Sequence, residues 1–328
     1  MSICTLAGCA KQPASPLRLA YYYWQTSVDW KTSDSQFLSD TKASRIYLRL
    51  FDVELKGTEP VPVGILRVSL LPQNVEIVPV VYIKEEVFRN LDGLRSQELA
   101  TNIAKQSKSI LGRDFTEFQL DCDWTQGTRE TYFEFISRLR KELPSNVTIS
   151  ATIRLHQIKY RIKTGVPPVD RGALMFYGTG SPSDPRENNS ILDLKVAREY
   201  LGNLEEYPLP LDAALPVYSW GVLFHGQRFR GILRDISPEL LNANLSRSGN
   251  VYRAKQTVRL RGISLSPGDW IRLESVGPDV SGEALKMVLP GLRADSRVIL
   301  FHYHEGLTKY GAKEILSITD GGRALLGR

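Results

Sequence analysis

The sequence predicts an α/β fold: a (β/α)8 TIM-like barrel with an insertion or small β-subdomain before the last strand. Strand-like and helix-like segments alternate along the chain, which is the pattern of βαβ units and a parallel sheet. Eight strand candidates in 328 residues suit a closed barrel. No GxGxxG follows an early strand, which counts against a doubly wound open sheet.

Residues 17–26, aromatic and apolar, make the first strand candidate. Residues 44–51 alternate apolar and polar, 75–83 form a near-continuous β-branched run, and 115–124 and 147–156 alternate again. The short apolar stretch 172–178, then 212–220 and 297–304, complete the eight. Helices are expected at 96–111, with apolar Leu99, Ile103 and Ile110, and at 130–143, with Phe133, Ile136, Leu139 and Leu143 behind Thr128 as N-cap. A third is expected at 191–204, after a loop rich in Ser, Asp and Asn. Residues 221–290 break this rhythm. They hold strand-like pieces near 252–261 and 270–276, with Pro267-Gly268-Asp269 as a turn signal between them. The chain thus divides into a leader and tether (1–16), barrel strands one to seven (17–220), the insertion (221–290) and the last strand with its C-terminal segment (291–328).

The formal net charge of +6 is spread thinly, without the dense basic stripe that phosphate binding requires, so no nucleic-acid role is expected. Three cysteines, Cys4, Cys9 and Cys122, make no disulfide framework and no CxxC metal spacing. Cys122 reads as a small buried hydrophobe within a strand. Leu6-Ala7-Gly8-Cys9 resembles a bacterial lipobox, in which the cysteine is lipidated, and residues 10–16 read as a tether. This implies export and a lipid anchor at Cys9 on the cell envelope. Only eight residues precede Cys9, short for a signal peptide, so the expectation requires an earlier start; otherwise the segment is a cytoplasmic leader. GxxxxGK[ST], HExxH and GxSxG are all absent, which leaves phosphoryl transfer and serine-hydrolase chemistry without support. No cofactor is implied.

Side-chain parity nominates a site. Along a strand, residues two apart share a face, and in a barrel the reactive groups gather where the strands end. On strand four Phe118, Leu120 and Cys122 suit the helix layer, which turns Gln119, Asp121 and Asp123 inward. Two carboxylates so close in a narrow lumen repel, and one pKa should rise; Asp121 and Asp123 are therefore the catalytic candidates. On strand five Ser150, Thr152, Arg154 and His156 oppose Ile149, Ala151, Ile153 and Leu155. Arg49 of strand two, with Asp52 just beyond, and Arg154 are the cations able to neutralise Asp121. Tyr22, Trp24, Tyr82, Trp124, Tyr177, Tyr218 and Trp220 put rings at strand ends, as stacking platforms for a flat hydroxylated ligand. His302 and His304 share a face on strand eight but lack further ligands of matching type, so no metal is assigned.

These residues carry a resemblance. Phe118-Gln119-Leu120-Asp121-Cys122-Asp123-Trp124, with Ile149-Ser150-Ala151-Thr152-Ile153 after the next helix, resembles the bacterial domain-of-unknown-function family 3142, grouped with glycosidase-like barrels. Arg154-Leu155-His156-Gln157, Gly165-Val166-Pro167-Pro168, Leu174-Met175-Phe176-Tyr177 and Leu215-Pro216-Val217-Tyr218-Ser219-Trp220 resemble uncharacterised exported proteins of similar build. The strand-four motif is also similar to the family-18 chitinase signature Asp-x-Asp-Trp-Glu, but Thr125 stands where that family has its acid. A displaced acid from Glu85, Glu86 or Glu305 would restore a carboxylate pair. The resemblance implies a carbohydrate-active envelope protein, a hydrolase acting on a glycan. The alternatives are a noncatalytic glycan-binding surface lipoprotein and an envelope assembly protein using 221–290 as its partner surface.

Overall fold

The computed structural model describes residues 17–234 and 236–326. The lipobox-like segment with Cys9 lies outside the described residues. Eight parallel strands close into a barrel: β1 (Arg18–Tyr23), β2 (Arg45–Lys56), β3 (Glu76–Ile83), β4 (Glu117–Asp121), β5 (Thr148–Arg154), β6 (Arg171–Met175), β7 (Leu211–Pro216) and β8 (Arg297–Phe301). Each pairs with the next, and β8 pairs with β1 to complete the ring.

The alternation in the sequence becomes two apolar layers. On β1, Leu19, Tyr21 and Tyr23 join the outer core under the helices, whereas Ala20 and Tyr22 join a separate cluster inside the barrel with Tyr47, Val78, Val80, Met175 and Ile299. β5 sends Ile149, Ala151 and Ile153 outward. The outer layer is held by helices such as Gly93–Leu111, which buries Leu99, Ala100, Ile103 and Leu111 at helical spacing after Asp92 caps it through Arg95 N. Arg129–Glu142 buries Tyr132, Phe135, Ile136 and Leu139. In place of a long helix at 191–204 only Leu194–Arg198 forms, capped by Asp193, and the remaining chain turns.

The lumen is filled. At its N-terminal end Arg45 pairs with Glu117 and Glu76, while Arg171 and Arg297 pair with Asp212. Above them Ser150 Oγ donates to Glu117 at 2.7 Å, Gln119 donates to Ser150 at 3.2 Å, and the Tyr22 hydroxyl donates to Gln119 at 2.6 Å. Apart from Arg297 Nη1, which stands 3.7 Å from Asp212, these polar groups are hydrogen-bonded to one another, as buried groups generally are.

The seventh strand ends sooner than its apolar run suggests. After Pro216 and Val217 the chain enters an antiparallel sheet of Tyr218–His225, Arg228–Leu233, Ser246–Ser248, Val251–Arg253 and Asp269–Val276. Tyr218 and Trp220 thus belong to the insertion and not to the barrel wall. Helix Pro278–Val288 returns to the barrel, where Ser281 donates to the Pro216 carbonyl.

Candidate functional site

A bulge in β2 builds one side of the mouth. Arg49 is level with Val80 and Phe51 with Val81, so Leu50 is the extra residue. The parity shift brings Asp52 beside Tyr82, and Tyr82 stands beside Asp121 on β4. Thr152 of β5 completes the row by donating to Asp121 Oδ1 at 2.6 Å. Arg49 pairs with Asp52 (Nη2–Oδ2 2.6 Å) and donates to the Gly64 carbonyl, so its hydrogen bonds go elsewhere than to Asp121.

One level up, Arg154 grips Asp123. Asp121 is only 4% exposed, whereas the Asp123 side chain is 44% exposed. A ligand therefore meets Asp123 and Arg154 first. Burial lifts the Asp121 carboxyl to about 6; the positive charge of Arg154 opposes that rise and the negative charge of Asp123 adds to it. Burial with the same two carboxylates pushes the Tyr82 hydroxyl up to about 12. His156 lies beyond the end of β5, in helix Leu155–Lys159; it is exposed, and desolvation holds its pKa below the usual value.

The opposite side of the mouth is aromatic and centres on Phe301, whose ring lies 5.9 Å from Trp24, 5.3 Å from Tyr177, 5.7 Å from Tyr218 and 5.0 Å from His302. The sequence reading passed over Phe301. Its signal was the alternation on β8, where Ile299 and Phe301 face the lumen cluster while Val298 and Leu300 face the outer core. Trp220 extends the surface from the insertion: its ring lies 5.4 Å from Tyr218, and Nε1 donates to Glu274 at 2.8 Å. Glu274, likewise unflagged by the sequence, is buried and also bonded to Arg272 and Ser190.

Other nominated residues stand apart. Trp124 is 0% exposed, stacks on Tyr132 at 5.3 Å and donates Nε1–H to the Thr164 carbonyl, so it belongs to the helix layer and is corrected as a ligand platform. Its outward placement continues the parity of Phe118, Leu120 and Cys122, which join the same outer core. Tyr22 is sealed inside the lumen beneath Trp24 and Phe301, which likewise corrects its nomination as a ligand contact. His304 uses Nδ1 to accept from Leu307 N at the start of helix Glu305–Thr308. His302 sits 4.5 Å from it between ring centroids, and burial, then the His304 and Arg234 charges, lower its pKa to about 3.

Thr125 is exposed and fastened on two sides. Its amide donates to Thr128 Oγ1 at 3.0 Å, and its hydroxyl donates to Glu85 Oε1 at 3.1 Å. Glu85 is the displaced carboxylate that reaches the tip of β4. Burial favours its neutral form, but bonds from Arg89 and Thr125 outweigh that and hold its pKa below the usual range. An ionised, arginine-paired carboxylate is a poor proton donor near neutral pH.

A parallel sheet of eight strands closed on itself, with helices packed outside it, defines the class: a (β/α)8 barrel. Solved structures share this fold. The spore cortex-lytic enzyme SleL of Bacillus cereus aligns with 96% of this chain and 78% of its own, at TM-score 0.57 and 12% identity. A chitinase from Chromobacterium violaceum covers 92% of this chain and 98% of its own, at TM-score 0.54 and 12% identity. A glycoside hydrolase family 18 N-acetylglucosaminidase from Paenibacillus barengoltzii covers 93% and 99%, at TM-score 0.54 and 9% identity. No protein-family model and no curated protein matches the chain.

Proposed function

We propose that this barrel binds a glycan at its C-terminal mouth without cleaving it. The observation that carries the reading is Thr125. It occupies the place of the acid in the motif that β4 resembles, and it is bonded to Thr128 and to an ionised Glu85. Asp123 is engaged by Arg154, which leaves neither group ready to protonate a leaving oxygen. The rings of Trp24, Tyr218 and Trp220, beside the half-exposed Asp123, supply stacking planes and a hydroxyl acceptor. The lipobox-like Leu6-Ala7-Gly8-Cys9 supports placing this activity on a lipid-anchored protein of the cell envelope. Calorimetry with an oligosaccharide panel, alongside chromatography of the same mixtures, tests the reading: binding with no released product is expected. Steady product release that disappears in Asp121→Asn would overturn it.

One observation favours hydrolysis as a second reading. Asp121, at about 6, keeps a proton into mildly acidic solution, as a general acid must. Its near-complete burial keeps it from a scissile oxygen in this conformation.

A further inference from the structure

Trp220 stands in a row that crosses the insertion sheet. On one side its partner is Glu274. On the other, the paired register ends at Gly221–Leu233, and Trp220 and Arg234 are the next residues beyond that pair. Directly opposed residues share a face. This face meets the barrel mouth through Tyr218, whose ring lies between Trp220 and Phe301.

The two ends of the row differ. Glu274 is 1% exposed and is engaged throughout: Oε1 accepts from Arg272, and Oε2 accepts from Ser190 N, Ser190 Oγ and Trp220 Nε1. Arg234 is exposed, and its side chain makes no hydrogen bond or ion pair among the described residues. Its charge acts on both Tyr218 and His302. Arg49 and Arg154, the other arginines of the mouth, are matched by Asp52 and Asp123. An independent observation marks the same spot. His302 Nδ1 is buried with no hydrogen-bond partner among the described residues, and a buried polar atom left so calls for a partner.

We infer that the mouth takes a negatively charged saccharide, and that Arg234 holds its anionic group. This rests on the glycan-binding reading and names the class of glycan. The planar guanidinium meets a carboxylate or sulfate with two N–H groups. Tyr218 and Trp220 flank it with ring planes, and the His302 nitrogen gains a hydrogen-bond partner in the ligand. The buried charge of Glu274 is countered by Arg272 and so does not cancel Arg234.

The test is calorimetry on the full chain with three probes: an oligouronide, the same oligomer with its carboxyls reduced, and a sulfated neutral oligosaccharide. The parent protein should prefer at least one charged probe over the reduced oligomer by about tenfold, which corresponds to about 1.4 kcal/mol. Whichever charged probe binds more tightly identifies the anionic group. Arg234→Ala should abolish the preference while keeping the affinity for the reduced oligomer, and Arg234→Lys should recover part of it. Arg234 is exposed, so neither change should disturb the fold, and thermal melting checks this. Equal binding of charged and reduced oligomers, or a preference unchanged in Arg234→Ala, overturns the inference and leaves glycan binding standing. If no saccharide binds at all, both readings fall together.

Discussion

Arg154 donates to both carboxylate oxygens of Asp123, from Nη2 to Oδ2 at 3.1 Å and from Nε to Oδ1. The same cation opposes the burial of Asp121 one level below. Arg154→Ala therefore leaves two neighbouring carboxylates without a counter-charge. Breaking a buried pair costs roughly 3–5 kcal/mol. The partial exposure of this pair screens it, so a loss of about 2 kcal/mol is expected in urea unfolding at pH 7. Carboxyl-carbon NMR should show the Asp121 midpoint moving above 6. A midpoint that stays put or falls would show that Arg154 does not set this charge balance.

Asp121 also gives stability a pH dependence of unusual sign. Its carboxyl titrates near 3.8 when unfolded and at about 6 when folded. Between those values the folded state holds the extra proton, so raising the pH through the window weakens the fold. At 1.36 kcal/mol per pH unit, the contribution lost by pH 7 is capped at about 3 kcal/mol. Asp121→Asn keeps a neutral side chain at every pH. Its unfolding free energy, compared with the parent's at pH 4 and pH 7, should decline less. Parallel pH profiles for the two proteins would contradict the raised value.

The barrel was legible because its strands alternate strictly. Ile149, Ala151 and Ile153 against Ser150, Thr152 and Arg154 allow one way of facing a core. Parity likewise turned Asp121 inward, and the structure puts it there, bonded to Thr152. Parity also turns Trp124 outward with Phe118, Leu120 and Cys122, so its nomination as a ligand platform went against the alternation. Parity failed where a strand slipped: the β2 bulge lets Arg49 and Asp52, three apart, share the mouth. A bulge depends on pairing with a neighbouring strand, and nothing local marks it. Arg272 and Glu274, by contrast, read as ordinary alternating surface charges; only tertiary contact with Ser190 and Trp220 makes them buried.

Two tryptophans should separate binding from folding. Trp24 is half-buried at the mouth against Phe301, whereas Trp124 is fully buried against Tyr132 and Phe133. Trp124→Ala should cost about 3–5 kcal/mol in unfolding free energy, as large-to-small core changes do. The molecules that remain folded should still bind glycan. Trp24→Ala should weaken glycan affinity about tenfold, in the range of a contact aromatic, with a smaller loss of stability. A reversed pattern would remove the aromatic mouth as the binding surface.

Thr125 offers the sharpest separation of binding from hydrolysis. Thr125→Glu alone sets a second carboxylate against Glu85 and breaks the 3.1 Å bond between them. Repulsion should raise one of the two pKa values and cost about 1 kcal/mol on this exposed surface. Adding Glu85→Gln removes the repulsion while keeping a polar neighbour for Arg89 and Thr128. The double variant then carries a carboxyl at the position of the chitinase acid, next to Asp123. General acids contribute roughly 10²–10⁴-fold when well placed, and an unrefined graft is expected to lift release from an aryl glycoside about tenfold above the parent's background. A parent enzyme that already turns over, or turnover in the parent that vanishes in Asp121→Asn, would place the acid at Asp121 and make the mouth an active site.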